Sequence, residues 1–191
     1  TYGYKHVMIG QGCKNNCAYC AIKFAKTKIK SVSRSSILKQ ITDLILAGNN
    51  KILLLCDDLG SWGLDIKDSW INLLEEIFSL GFTELKLALF NLKVEDLIRE
   101  EHFFNTMVNT GQLTYIGLMG QHVNRRILSM MNREPFGAND FADIINKYGK
   151  QNVHMHTYTI VGFPGETEDE FSELASFIRQ IETENFSVLN F

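Results

Sequence analysis

Gln-Gly-Cys-Lys-Asn-Asn-Cys-Ala-Tyr-Cys, residues 11–20, contains three of the chain's four cysteines, at Cys13, Cys17 and Cys20. The apolar run that precedes this stretch, residues 6–9, predicts a strand that leads directly into a cysteine loop. Thiolates this close together in sequence can converge on one inorganic centre. Three thiolates on a four-iron cluster leave one iron without a protein ligand, so a small molecule can bind to the metal directly.

Two other uses of the cysteines have to be weighed. A zinc site could take these three cysteines together with Cys56 or a histidine as the fourth ligand. Structural zinc sites usually combine two pairs of closely spaced ligands, and the sequence holds no second pair. A disulfide framework is less favoured, because four cysteines in 191 residues are sparse and three of them are crowded together. Cys56 ends an apolar run and is predicted to be a small buried hydrophobic residue.

The composition is that of an ordinary globular domain, with 45% hydrophobic and 21% charged residues. The net charge is -3 and the pI is about 5.9, so the overall charge does not predict nucleic-acid binding. No apolar run reaches the length of a membrane span, and we expect no signal peptide. Exposed thiols suit a reduced interior, which predicts a cytoplasmic protein without a membrane partner. The chain begins without Met and stops inside an apolar run, so residues 1–191 are interpreted as one domain of a longer protein.

Strand-like and helix-like segments alternate along the chain. The strands are predicted at residues 6–9, 51–56, 85–90, 114–118, 153–161 and 186–191. Among the helices, one is predicted to begin at a cap on Ser35 or Ser36, another covers residues 94–108, and the last is predicted to open with a capping box of Thr167 and Glu170. This α/β alternation predicts a parallel sheet with the functional site at the carboxyl ends of its strands. A doubly wound open sheet fits the pattern as well as a barrel does.

The loop pattern C-x3-C-x-aromatic-C, placed after the first strand, resembles the radical S-adenosylmethionine (SAM) superfamily. That resemblance implies a partial (β/α)6 TIM-like barrel of parallel strands, the radical SAM core. It implies that Cys13, Cys17 and Cys20 bind three irons of a [4Fe-4S] cluster, while SAM binds the fourth. It also implies that SAM is cleaved reductively to a 5′-deoxyadenosyl radical. The sequence designates no catalytic acid or base.

The resemblance also suggests residues that contact SAM. Tyr19 is expected near the adenine, and ordinary core packing is the less favoured alternative for this aromatic residue. Asp57 is expected to take the SAM ammonium group, or else to lie in a solvated turn. Arg133 is expected to bind the SAM carboxylate through its planar fork. The backbone of Ile160, Val161 and Gly162 is expected to border the adenine.

Further motifs resemble the methylthiotransferase family within that superfamily. The family typically has Gln-Ser-Gly-Ser after the fourth strand; this chain has Gln121, which matches, followed by His122, Val123 and Asn124, which depart from it. Gln121 is taken as a SAM-binding residue and Asn124 as a contact of the ribose. Lys23 also departs from the family, which has Pro at that position, and it lies towards the substrate side.

The resemblance implies methylthiolation of a macromolecule, either a tRNA base or a side chain of a ribosomal protein. It further implies a second [4Fe-4S] cluster in a domain outside this chain, and a reductant such as flavodoxin or ferredoxin. Two alternatives stay open: a radical SAM enzyme that modifies a peptide or a small molecule, and a zinc- or cluster-stapled scaffold without catalysis.

Overall fold

A six-stranded parallel sheet forms the centre of the computed structural model, which describes residues 3–181 and 185–191. Its strands are β1 (Lys5–Met8), β4 (Lys51–Leu55), β5 (Lys86–Lys93), β6 (Leu113–Gln121), β7 (His154–Val161) and β8 (Asn185–Asn190). They lie side by side in the order in which they occur in the chain, and each is parallel to its neighbours. All six predicted strands are therefore confirmed. A doubly wound sheet is excluded, since it requires the strand order to reverse at a switch point.

The sheet separates two apolar regions because neighbouring side chains of a strand point to opposite faces. Alternate strand residues such as Val7, Leu54 and Leu89 pack against the helices in the main core. A smaller cluster on the other face contains Leu53, Ala88 and Tyr115. Helices therefore cover one face, while the other lines the interior of a partial barrel, as the resemblance implied.

Eight helices connect or flank the strands in the described part of the chain. They are α1 (Ile22–Ala25), α2 (Arg34–Leu46), α3 (Trp70–Phe78), α4 (Val94–Arg99), α5 (Glu101–Asn109), α6 (Arg125–Met130), α7 (Ala138–Lys150) and α8 (Glu168–Gln180). Two short 3-10 turns, Leu59–Ser61 and Leu64–Ile66, follow β4. Searched over the described residues, the helices include none that is long and apolar enough to cross a membrane.

Two helix predictions were wrong in detail. The cap of α2 is Ser33 instead of Ser35 or Ser36, because the Ser33 side chain accepts the backbone N–H of Ser36. The helix predicted over 94–108 is two helices, interrupted where Glu100 leaves helical geometry with φ -104° and ψ 23°. The apolar stripe continues across that residue, so the pattern did not report the break. The capping box of Thr167 and Glu170 is confirmed.

A two-stranded antiparallel ribbon, β2 (Gly10–Gln11) with β3 (Lys30–Ser31), closes the base of the cysteine loop. Strands of two residues are too short to show an alternating pattern, so the sequence did not predict them. The ribbon brings residues 28–31 alongside the start of the loop, at the carboxyl end of β1.

Candidate functional site

The cysteine loop is anchored to the loop that follows β4, the neighbouring strand. The backbone N–H of Gly12 donates to Asp57 Oδ2 at 2.7 Å, and that of Lys14 donates to Ser61 Oγ at 2.9 Å. Gly12 has φ +84°, and a Cβ at this position would lie 2.4 Å from the carbonyl oxygen of Lys28. Only glycine combines that backbone conformation with so close an approach. The entry to the loop is therefore fixed from both sides.

All four cysteines are free thiols, and Cys13, Cys17 and Cys20 are each partly exposed at this end of the sheet. The Asn15 side-chain amide donates to Cys13 Sγ at 3.1 Å, while burial, assisted by Asp58, raises the pKa of the Cys13 thiol. Among the described residues no three His, Cys, Asp or Glu side chains are gathered closely enough to hold a single metal ion. Three free thiols on one loop are the donor set that an iron-sulfur cluster uses.

Cys56 differs from the three loop cysteines in its surroundings. It follows β4 and packs against the main core as a partly buried residue. Burial, together with the nearby carboxylates of Asp58 and Asp57, raises the pKa of its thiol well above the usual range. A thiol in that environment stays protonated and behaves as a small apolar side chain, as the sequence predicted.

The two carboxylates after β4 are both engaged with the cysteine loop. Besides Gly12, Asp57 pairs with Lys26 Nζ at 2.8 Å. Asp58 is buried and accepts hydrogen bonds from the Asn15 side chain at 3.0 Å and from the Ser61 hydroxyl. Burial raises the pKa of Asp58. Asp57, predicted to take the SAM ammonium group, thus lies beside the cysteine loop and already has two protein partners.

A buried charge network lies at the carboxyl end of β5 and includes Arg133. The guanidinium donates to both oxygens of Glu95, at 3.2 and 2.9 Å, and to the Met119 carbonyl at 2.9 Å. The Nζ of Lys93, at the end of β5, lies 3.2 Å from Oδ2 of Asp96. Burial opposes the Arg133 charge, but Glu95 and Tyr19 outweigh it, so the pKa of Arg133 is raised. The sequence pattern did not indicate Lys93, Glu95 and Asp96, since a charged run after a strand usually indicates a solvated helix start.

Arg133 also joins this network to Tyr19, because its Nη1 donates to the Tyr19 hydroxyl at 3.1 Å. Burial raises the pKa of Tyr19, against the effect of the neighbouring guanidinium. The Tyr19 ring packs against a separate apolar cluster that contains Ile127, Met131, Ile160 and Phe163. The structure thus brings together Tyr19 and Ile160, two of the residues predicted to surround the adenine.

The other residues predicted at the end of β7 divide between the two faces of the sheet. Val161 packs against the main core, on the opposite face from Ile160. Gly162 begins the turn after β7 with φ +76° and lies exposed, with no other atom within 4 Å of the position of a Cβ. Gly162 therefore borders open space at the end of β7.

The segment after β6 supplies Gln121, His122 and Asn124. Gln121 is buried with φ +67°, and its Oε1 has no hydrogen-bond partner among the described residues. Asn124 caps α6: its Oδ1 accepts the backbone N–H of Arg126 at 2.9 Å, and its Nδ2 donates to Glu173. Both ends of the Asn124 side chain thus have protein partners. An unpartnered buried amide oxygen, by contrast, is the kind of group that a ligand satisfies.

His122 is fully buried and connects this segment to the turn after β7. Its Nδ1 accepts the Asn124 backbone N–H at 2.9 Å, so Nε2 carries the proton and donates to Glu166 Oε1 at 3.1 Å. Glu166 in turn accepts the backbone N–H of Gly162. His122 therefore holds the Gly162 turn in place, a positioning role that the isolated histidine in the sequence did not reveal.

The comparisons with known proteins agree with this geometry. Residues 7–178 match the family model described as "Radical SAM superfamily". The ribosomal protein uS12 methylthiotransferase RimO of Protochlamydia amoebophila is 34% identical over 98% of this chain, and the RimO of Desulfotalea psychrophila is 32% identical over 91%. The chain spans 40% and 39% of the length of these two relatives.

Solved structures show the same fold at low sequence identity. The radical SAM methyltransferase TsrM from Kitasatospora setae, with cobalamin and a [4Fe-4S] cluster bound, superposes with a TM-score of 0.79 at 15% identity, covering 98% of this chain and 36% of that one. Streptococcus suis SuiB bound to S-adenosylmethionine gives a TM-score of 0.58 at 13% identity, covering 99% of this chain and 40% of that one. From the partial barrel, the three-cysteine loop and the match over residues 7–178, the chain belongs to the radical SAM superfamily.

Proposed function

We propose that this chain holds a [4Fe-4S] cluster on Cys13, Cys17 and Cys20 and cleaves SAM reductively. The observation that carries the proposal is the set of three free, partly exposed thiols on one anchored loop at the carboxyl end of β1. Such a cluster, when bound, supplies the electron that breaks a carbon–sulfur bond of SAM, giving methionine and a 5′-deoxyadenosyl radical. The protein binds the cofactor, orients it and excludes water.

Residues around the loop support distinct parts of SAM binding. Tyr19 and Ile160 offer an apolar surface to the adenine, and the exposed backbone at Gly162 leaves room for its edge. The unpartnered Oε1 of Gln121 accepts from a donor on the ligand. Four of the five N–H groups of Arg133 donate to protein acceptors: two to Glu95, one to Met119 and one to Tyr19. One Nη1–H is therefore left for the SAM carboxylate.

Asp57 and Asn124 can contact SAM while they keep the hydrogen bonds that they make to the protein. Asp57 keeps Gly12 and Lys26 as partners and offers its remaining lone pairs to the SAM ammonium group. Asn124 caps α6, and the ribose is proposed to contact its side chain at the start of this helix.

The substrate we propose is a ribosomal protein side chain that receives a methylthio group. The support is the 34% identity to a uS12 methylthiotransferase over nearly the whole chain. Because the only cysteine of residues 1–191 outside the loop is Cys56, we assign the sulfur donation to a second cluster bound outside these residues. The electron comes from a reductant such as flavodoxin or ferredoxin, in the reduced cytoplasm that free thiols suit. A tRNA base is the second candidate substrate.

Anaerobic reconstitution with iron and sulfide tests the first step. The protein is expected to turn brown and to bind about four irons per chain, the iron content of a [4Fe-4S] cluster. It is expected to release 5′-deoxyadenosine when dithionite and SAM are added. A colourless protein that retains zinc and leaves SAM intact would establish the scaffold alternative instead. Mass spectrometry of purified uS12 and of tRNA after turnover then distinguishes the two substrates.

A further inference from the structure

The charges of this chain are distributed unevenly along its length. Of its 19 Lys and Arg residues, eight lie in residues 1–42, which contain no Asp or Glu. Residues 43–191 hold the other 11 cations and all 22 acidic residues. The net charge of -3 therefore conceals a strongly positive first segment, the one that contains the cysteine loop.

Some of these cations are neutralised by acidic residues from the rest of the chain. Lys26 pairs with Asp57, Lys39 with Asp43, and Arg34 with Asp68. Lys14, Lys28 and Lys30 are exposed and have no ion pair among the described residues, and the same is true of Lys5, which lies at the amino end of β1. The unpaired charges therefore remain available to a partner.

We name as the loop patch four exposed residues of the cysteine loop and of the segment that follows it, Lys14, Phe24, Lys28 and Lys30. Lys14 is in the cysteine loop, and Lys30 pairs with Gln11 in the ribbon at its base. The backbone of Lys28 packs on Gly12. The Phe24 side chain is 78% exposed, which is unusual for a residue of its size.

Carboxylates lie at the margin of the loop patch, and Asp57, which accepts the backbone N–H of Gly12, is already paired with Lys26. Asp65 accepts the backbone N–H of Ser31 at 3.0 Å, and the Ser31 contacts lower the pKa of Asp65. Because Lys26 neutralises Asp57, the three unpaired lysines outnumber Asp65 and the patch stays positive. Positive charges around an exposed aromatic residue are a combination that recognises an acidic protein surface.

We propose that the loop patch is the docking surface for a small acidic protein that carries one electron. This inference rests on the proposed function, in which each SAM cleaved consumes one electron at the cysteine loop. The carrier is oxidised by one electron, and the C–S bond of SAM breaks to leave methionine and the 5′-deoxyadenosyl radical. An electron has to be delivered close to the cysteines, and the loop patch adjoins them. RNA is less favoured, since the rest of the chain is acidic and offers no extended basic surface.

Charge reversal tests the docking surface with oxidised flavodoxin, an acidic one-electron carrier, as the probe. Calorimetric titration at low ionic strength is expected to show that Lys28→Glu/Lys30→Glu weakens flavodoxin binding by about 10-fold or more, because long-range attraction is lost. The loss is expected to shrink as salt screens the charges. The matched control is Lys5→Glu/Lys51→Glu, two exposed lysines at the amino ends of β1 and β4, which is expected to bind as the unmodified protein does.

SAM cleavage provides a second measurement. With reduced flavodoxin as the electron source, Lys28→Glu/Lys30→Glu is expected to form 5′-deoxyadenosine about 10-fold more slowly at low salt. With dithionite, which needs no docking surface, the same variant is expected to match the unmodified protein. The thermal midpoint of both variants checks that the fold is intact.

Two results would overturn the docking surface: equal flavodoxin binding by the patch and control variants, or normal flavodoxin binding with loss of binding to a short RNA. The latter would assign the patch to nucleic acid. A lack of 5′-deoxyadenosine with dithionite in the unmodified protein would refute the proposed function instead, while the calorimetric result would still decide whether the patch binds the carrier.

Discussion

Cys13, Cys17 and Cys20 lie on one loop, and Cys56 packs against the core. Replacing each by Ala is therefore expected to have different effects. The three loop variants should lose the cluster, because each removes one of the three proposed iron ligands, and the Cys56 variant should retain it. Iron and sulfide assays on each reconstituted variant provide the measurement. Loss of iron in the Cys56 variant, with retention in any loop variant, would contradict the assigned ligands.

Arg133→Lys is expected to weaken SAM binding and leave the iron content unchanged. Lysine keeps the charge but loses the planar fork that meets Glu95, so stability should also fall by about 1–3 kcal/mol. Arg99→Lys is the matched control, since Arg99 pairs with Asp96 in the same region but is 51% exposed. SAM titration and thermal midpoints separate the two effects. An unchanged SAM affinity in Arg133→Lys would remove Arg133 from the cofactor site.

At this scale the sequence indicated candidate site residues, but it did not indicate which other residues hold them in place. The cysteine spacing alone singled out the loop thiols, and the structure places Tyr19 and Ile160 together as expected. The contacts of Glu95 with Arg133 and of His122 with Glu166 join residues 38 and 44 positions apart. A pairing over such a separation leaves no local pattern, so a single sequence could not reveal it.

Among the elements, the turn after β7 is the one expected to border the adenine. Gly162→Val should impair SAM cleavage, because a branched side chain would enter the open space beside Ile160. It should also cost about 1–3 kcal/mol of stability, since φ +76° strains a β-branched residue. The measurements are the 5′-deoxyadenosine yield, the iron content and the thermal midpoint.

Gly48→Val provides the control for backbone strain. Gly48 follows α2 with φ +82° and likewise has no atom within 4 Å of a Cβ position, but it is remote from the cysteine loop. Both variants are expected to lose similar stability, and only Gly162→Val is expected to lose SAM cleavage. Equal SAM cleavage by the two would show that the turn does not border the cofactor.

The capping box at the start of α8 predicts a pH dependence of stability. Arg126, and then the contacts with Thr167, lower the pKa of Glu170 from 4.5 to about 2. A carboxylate whose pKa is lower in the folded state stabilises the fold above its unfolded value and loses that effect as the pH falls through the folded value. The difference in thermal midpoint between the unmodified protein and Glu170→Gln should therefore be full above about pH 5 and disappear towards about pH 2. Glu168→Gln, in the same turn, should show a much smaller difference throughout.

Element prediction succeeded where a periodic apolar pattern was long enough. The buried run of β4 and the capping box of α8 lie where the sequence placed them. It failed where a single residue determines the end or the start of a helix. Glu100 divides α4 from α5, and Ser33, instead of Ser35 or Ser36, caps α2. Several serines in succession compete for one cap, and only the path of the preceding chain selects among them.

For the whole molecule, the sheet predicts a gradient of local stability. β5 and β6 pair on both sides, while β1 and β8 each pair on one side only within the described residues. Hydrogen–deuterium exchange followed by mass spectrometry should therefore be slowest in β5 and β6 and fastest in β1 and β8. If β8 exchanged as slowly as β6, the outer edge of β8 would have to be covered by another part of the protein.

The order of the six strands has a consequence for synthesis on the ribosome. Each strand pairs with the sheet strand that was made before it, so the sheet can grow by addition at one edge as the chain emerges. The cysteine loop follows β1, and it can contact its anchors, Asp57 and Ser61, as soon as β4 and the loop after it have been translated. Glu95 and Arg133 follow later, in that order. The nascent chain can therefore shape its thiol loop, together with Tyr19 and Asp57, long before Gln121, Arg133 and Ile160 have been synthesised.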